Sequence, residues 1–335
     1  MSSARARAEA AARERALDAV ARTRALGLHF YGHFLGVSAL PTAPGRSRLL
    51  LDVEPVAGTP GPVPPVALAS LADLALGAAI RARLGPNRRL VTTSLAVHHL
   101  EPTVSGPVTA EGVALRIEPA HERGFAQCEL YAAGGQVVGT VGGWFVALPA
   151  PPGRSLPPVP WERADLPPVP AVTLQELDVD ERAAVDASTR AGARAEASAT
   201  SVMEELLGIS WTRQAGAAAH GELAVGPEHS NRVGHVQGGL VYGAAALAAG
   251  QATGAGMHLA EGHLQFLRPA DGSLLVIEAR ELRRGRRASF AEARLFLADR
   301  LVASGEFAFH RGGGAGDGCE RPASQRALEE GVRTR

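Results

Sequence analysis
The sequence predicts an α+β protein of two repeats, each a long helix wrapped by an antiparallel β-sheet. One pattern of residues occurs twice along the chain. Each copy contains a single helix-like stretch that is apolar nearly all round, and each such stretch gives way to long segments of alternating polarity. A chain of 335 residues has room for roughly two or three domains, so a duplicated unit of ordinary size fits.

Residues 1–28 form a charged N-terminal helix. The run "SSARARAEAAARERALDAVARTRAL" mixes arginines with Glu9, Glu14 and Asp18 and has no apolar h-region, which predicts a solvated, loosely packed helix rather than a targeting peptide. The first repeat, 29–149, opens on Phe34-Leu35-Gly36-Val37 and the strand-like "RSRLLLDVEP". A Gly/Pro loop then leads into the helix "VALASLADLALGAAIRARLG" at 66–85, followed by the strands of "RLVTTSLAVHHLEP", "GPVTAEGVALRIEP" and "FAQCELYAAGGQVVGTVGGWFVALP". Residues 150–172 are Pro-rich and read as an extended connector. The second repeat, 173–311 with a leading helix, opens on Leu206-Leu207-Gly208-Ile209 and keeps the same order. "AAAHGELAVGPEH" is its first strand, "GLVYGAAALAAGQATGAG" at 239–256 its helix, and "EGHLQFLRP", "GSLLVIEARELRRG" and "RASFAEARLFLADRLVASGEFAFHR" its later strands. The first strand after each helix ends on Leu-x-Pro, and the turn signals Ala133-Gly134-Gly135 and Ala298-Asp299-Arg300 stand at equivalent places. Residues 312–335, Gly-rich and then charged, read as a disordered tail. The Gly and Ala of the two helices are expected where a curved sheet comes close to a helix backbone.

Composition excludes several classes. Lys+Arg and Asp+Glu both number 34, with every basic residue an arginine, so no global field recruits nucleic acid or an anionic membrane. No uninterrupted apolar run approaches the ~20 residues that cross a bilayer. Cys128 and Cys319 make neither a disulfide framework nor a metal cluster, which fits a reducing cytoplasm. HExxH, P-loop, GxSxG and GxGxxG motifs are absent, so neither a metal nor a nucleotide cofactor is expected.

One loop carries chemistry. The run "EHSNRVGHVQGG" from Glu228 to Gly239 resembles the N-x-x-G-x-hydrophobic-H-G-G loop of hotdog-fold acyl-CoA thioesterases, the group that includes the phenylacetyl-CoA and 4-hydroxybenzoyl-CoA enzymes, with Gln237 in place of the usual His. In that family the following helix carries an acid nine positions beyond the His. Nine beyond Gln237 is Ala246, so this half has no acid. The first half has the reverse defect: Asp73, in "SLADLALG", matches the family's acid-bearing helix, but Pro64 and Pro65 stand where Gln237 and Gly238 stand in the second half. Pro65 has no N–H to donate. Thr92 holds the position where the family often has a Ser or Thr that orients the water, and its counterpart is Leu259.

The resemblance implies a double hotdog with sites between the paired units, each acid coming from one unit and each Gly loop from the other. One intact composite site is expected from Asp73 and Thr92 with Asn231, Gln237, Gly238 and Gly239, and an inactive counterpart at Pro64, Pro65, Ala246 and Leu259. A backbone N–H at a helix N-terminus suits the charge that develops on a thioester carbonyl, an effect of about 3–4 kcal/mol per donor. Gly238 is the expected donor, since it lacks a Cβ. Asp73 is the only ionisable residue between Val66 and Ile80, so desolvation should raise its pKa toward that of a general base. It either activates water or attacks directly. The amides of Asn231 and Gln237 suit holding the water or the carbonyl.

Arg283, Arg284, Arg286 and Arg287 in one turn either grip the phosphates of coenzyme A or form an exposed hairpin. His98 and His99 lie in a strand, one facing in and one out, and read as structural. The expected activity is hydrolysis of an acyl-CoA or acyl-carrier-protein thioester, with coenzyme A as part of the substrate, no separate cofactor, and a possible homodimer of double hotdogs. A non-catalytic acyl-thioester binding protein and a non-hydrolytic hotdog enzyme of secondary metabolism are the alternatives that Gln237 leaves open.

Overall fold
The computed structural model describes residues 3–26, 30–43, 45–52, 62–85, 88–118, 120, 122–149, 168–215, 217–231 and 233–312. The connector up to residue 167, the tail from 313 with Cys319, and the Gly/Pro loop before Pro62 lie outside them.

Each repeat begins with a helical pair. In the first, α1 (Ser3–Leu26) and α2 (Phe30–Leu35) precede β1 (Val37–Ala39), β2 (Arg46–Leu51) and the central helix α3 (Pro65–Leu84). The strands β3 (Arg88–His99), β4 (Val108–Glu118), β5 (Arg123–Ala132) and β6 (Val137–Pro149) follow. In the second, α4 (Val179–Ser198) and α5 (Val202–Leu207) precede β7 (Ser210–Ala215) and β8 (Ala218–Ala224), then the central helix α6 (Gly238–Thr253). The chain then runs through β9 (Met257–Phe266), β10 (Leu274–Arg284), β11 (Ala288–Leu297) and β12 (Arg300–Arg311).

These strands form one 12-stranded antiparallel sheet in the order β1-β2-β4-β5-β6-β3-β9-β12-β11-β10-β8-β7. Exchanging the repeats reverses this order, so a pseudo-twofold axis crosses the centre, where β3 pairs with β9 and Ala96 faces His263. The two central helices lie against each other and against the sheet. Residues 66–80 of α3 are buried without a break. Its length and composition would let it cross a bilayer, although no uninterrupted apolar run is that long, and its burial identifies it as a core helix.

Glycines set how closely α3 and α6 approach. A Cβ on Gly239 would fall 2.3 Å from the Ser70 Cα, and one on Gly243 would fall 2.3 Å from the Val66 Cγ2. These glycines therefore admit the partner helix, not the curved sheet expected from the sequence. Packing at i and i+4 on both helices brings the backbones together.

The N-terminal helix also corrects its sequence reading. Ala12, Ala16, Ala19 and Val20 of α1 are buried, and Ala8 and Ala12 lie so close to Gly192 of α4 that a Cβ there would be 2.7 Å from the Ala8 carbonyl oxygen. Arg24 at the end of α1 donates to Glu181 at the start of α4 at 2.7 Å, as an antiparallel pair requires. The stripe of small residues, spaced three and four apart, is the apolar face that outnumbered charges obscure.

Candidate active site
Asp73 sits on the inner face of α3, 8% exposed, and receives hydrogen bonds from both repeats. The Thr92 hydroxyl of β3 donates to its Oδ1 at 2.8 Å, and the Gln237 amide nitrogen donates to its Oδ2 at 2.7 Å. A β-bulge explains how Thr92 gets there. The β3–β6 register shifts between Thr92 and Ser94, leaving Thr93 as the extra residue, so inward-facing positions change from Leu95 and Val97 to Thr92. The same irregularity recurs in the second repeat, between Ala308 and Phe309 opposite Glu261 and Leu259.

Gln237 is the N-cap of α6, its side-chain oxygen accepting from the Leu240 N–H at 3.1 Å. With the oxygen held by the helix, the NH₂ end must face Asp73, and the residue is 2% exposed. Gln237 thus fixes the carboxylate with one end of its amide and caps the helix with the other, a role the sequence reading did not reach. Gly238 follows. A Cβ there would lie 2.9 Å from Asp73 Oδ2, so any larger residue would displace the hydrogen-bonded carboxylate. The first N–H groups of a helix have no intrahelical acceptor, and Gly238 lines the cleft together with Asp73.

Burial pushes the Asp73 carboxyl up from 3.8 to about 6, against the Thr92 hydrogen bond, which favours the ionised form. Removing that hydrogen bond in Thr92→Val is therefore expected to raise the Asp73 pKa further and move the acid limb of any Asp73-dependent rate to higher pH. A pH profile of kcat/KM with an unmoved limb would show that Thr92 does not act through the carboxylate.

Other expected residues have different roles. Asn231 borders the cleft, but its side-chain oxygen is committed to the loop, accepting from the N–H groups of Val233 at 3.0 Å and His235 at 3.2 Å. It shapes the loop that delivers Gln237 and does not offer that oxygen to a water. Gly239 lies under Ser70 and serves the helix contact, not the cleft. The four arginines of the β10–β11 turn do not line the cleft among the described residues. Arg284 donates to Glu281 at 2.8 Å and to the Thr253 carbonyl at 2.8 Å, at the C-terminal end of α6, whereas the cleft opens at its N-terminal end. Arg283, Arg286 and Arg287 share that remote turn. His98 is exposed and 3.2 Å from Glu261, and His99 faces inward.

The cleft has a volume of about 140 Å³ and apolar walls that include Leu74, Phe145, Val241 and Phe266. Arg81 and Arg89 also line it. Arg81 donates to the Arg88 carbonyl at 2.7 Å, and the buried Arg89 Nε has no partner among the described residues. Asp73, Gly77 and Arg81 stand four residues apart on one helix face, a spacing that could have revealed Arg81 in the sequence. Among the described residues no group of three or more His, Cys, Asp or Glu is placed to hold a metal ion.

Residues 65–138 match the family model described as Thioesterase superfamily, and residues 227–310 match the one described as Acyl-CoA thioesterase N-terminal domain. Among solved structures, a tesB protein of Mycobacterium avium subs paratuberculosis has a TM-score of 0.51 at 12% identity, covering 82% of this chain and 96% of its own. A protein of Alicyclobacillus acidocaldarius described as having the hot dog fold has a TM-score of 0.49 at 11% identity, with 82% and 96% covered. Zebra fish thioesterase superfamily member 2 has a TM-score of 0.31 at 24% identity, with 32% and 83% covered. No curated protein matches the chain. Each repeat thus matches a thioesterase family model, and with one continuous sheet around two central helices the chain has the fold of a tandem double hotdog.

Proposed function
We propose that the protein hydrolyses an acyl-CoA thioester at a single composite site, with Asp73 of the first repeat as general base and the Gly238 N–H of the second as oxyanion donor. The observation that carries this reading is the Asp73 carboxylate held by Gln237 directly beside the N-terminus of α6. The Thr92 hydrogen is already donated to Asp73, so toward a water Thr92 can only accept. A water that donates one hydrogen to Asp73 and the other to Thr92 keeps a lone pair free for the carbonyl carbon. Its attack forms the C–O bond, passes a proton to Asp73 and places negative charge on the carbonyl oxygen near Gly238, where the helix N-terminus stabilises it. Collapse breaks the C–S bond and expels the thiolate, which takes up the proton. Arg81 and Arg89 supply cations suited to the phosphates of coenzyme A. The buried free thiol of Cys128 suits a reducing cytoplasm.

The test is thiol release from a panel of acyl-CoA thioesters of graded length, measured across pH. Turnover of at least one class is expected, with kcat/KM falling as pH drops through about 6, where Asp73 takes up a proton. The absence of turnover across the panel would leave the site without the proposed activity.

A further inference from the structure
The pseudo-twofold axis carries the Asp73 cleft onto a second cavity between the same two helices, and this one is far larger, about 920 Å³ against about 140 Å³. Its walls have lost the hydrolytic groups. Ala246 stands where the cleft has Asp73, Leu259 where it has Thr92, and Pro65 where it has the Gly238 N–H. Yet the space has not closed. Its volume lies within the ~300–1,000 Å³ of sites that enclose a small molecule.

The surviving walls have a definite chemistry. Leu35, Val66, Met203, Leu247, Met257 and Phe309, drawn from both repeats and from the leading helices, give a mainly apolar surface. Among the described residues no arginine lines it, and the carboxylates there are Glu101, Glu196 and Glu204. The cleft, by contrast, has Arg81 and Arg89. His99 is one of the lining residues, and its buried Nε2 has no partner among the described residues. Burial pushes that imidazole down to about 4, so near neutral pH it is an uncharged hydrogen-bonding group and offers no cation to a carboxylate.

Mainly apolar walls, acids in place of the arginines of the cleft, and neutral hydrogen-bonding groups that include the buried His99 point to one class of occupant. We propose that this cavity binds an uncharged lipid-like molecule, an alkyl chain ending in a hydroxyl or carbonyl that meets His99, at a site separate from the Asp73 cleft. A thioester of coenzyme A is excluded there because its phosphates would meet carboxylates with no arginine to offset them.

The probe is the neutral fluorophore N-phenyl-1-naphthylamine, titrated into the full-length chain, with 1-dodecanol, dodecanoate and free coenzyme A as competitors. Saturable binding at one site is expected, displaced by 1-dodecanol, at least about 10-fold less well by dodecanoate, and not by coenzyme A. Filling the cavity by Ala246→Phe, or by Leu247→Trp on the partly buried neighbouring position, should weaken the probe by about 10-fold or more. Native circular dichroism should accompany each variant, with any thioester hydrolysis unchanged. His99→Leu should leave the probe bound but weaken 1-dodecanol by about 5- to 10-fold, the loss of one hydrogen bond. Absence of saturable binding, displacement by coenzyme A, dodecanoate competing as well as 1-dodecanol, or full affinity in both folded filling variants would overturn the proposal.

Discussion

Asp73→Asn is expected to lower kcat for thioester hydrolysis by about 10³-fold, within the ~10²–10⁴ that a positioned general base contributes, while making the protein more stable. The two effects share one cause. Burial holds the folded-state carboxyl near 6, against 3.8 in water. Between those values the folded state keeps a proton that the unfolded chain has released, so stability falls as pH rises through the interval. Above about 6 the ionised group costs roughly 3 kcal/mol, at 1.36 kcal/mol per pKa unit. Asn carries no such cost. Its oxygen can take the Gln237 donor while its NH₂ turns to Thr92, whose hydroxyl oxygen can accept, so the network closes again. Urea unfolding of both proteins at pH 4 and pH 7.5 checks this. The variant should gain most of its advantage at the higher pH, and equal stability at both pH values would remove desolvation as the origin of the shift.

Much of the fold was legible because it rests on repetition. The two apolar helices, the Leu-x-Pro strand ends and the matching turns specify two copies of one unit, and the structure arranges them around one axis. The leading helices were less legible. The buried face of α1 is Ala12, Ala16, Ala19 and Ala21 with Val20 alone of larger size, and alanine among many arginines gives almost no hydrophobic contrast. Its partner face on α4, with Ala184, Ser188, Ala191 and Ala195, has the same weakness.

The site was legible where a side chain's identity fixes its role. Asp73 stands alone on an apolar helix, and Pro65 cannot donate whatever its surroundings. It was not legible where the role depends on which partner is near. The two ends of the Gln237 amide have different partners, Leu240 close in sequence and Asp73 164 residues away, and only the second makes the residue part of the site. The arginine turn misled for a related reason. Its sequence shows charge but not position, and the fold places it at the opposite end of α6 from the carboxylate.

The helix contact beneath the site yields the largest expected loss of stability. Gly239→Ala places a Cβ 2.3 Å from the Ser70 Cα and 2.6 Å from its nitrogen. Both are backbone atoms, so no rotamer change relieves the overlap and α3 and α6 must separate. Overpacking of this kind costs about 1–3 kcal/mol or more, well above the roughly 0.5–1 kcal/mol that alanine gains over glycine in a helix. Gly250→Ala on the same helix is the internal control. Its Cβ would meet nothing nearer than the Phe309 ring at 3.7 Å, an ordinary contact, so it should stabilise by the propensity gain alone. Adding Ser70→Gly should not rescue Gly239→Ala, because the obstructing Cα and nitrogen remain. Since the same movement carries Gln237 away from Asp73, Gly239→Ala should also lose turnover, and the acid limb near pH 6 should shift in whatever activity remains. Melting temperatures for the three variants, with pH profiles, separate these outcomes. If Gly239→Ala proved as stable as Gly250→Ala, the close approach of the two helices could not be what the glycine is for.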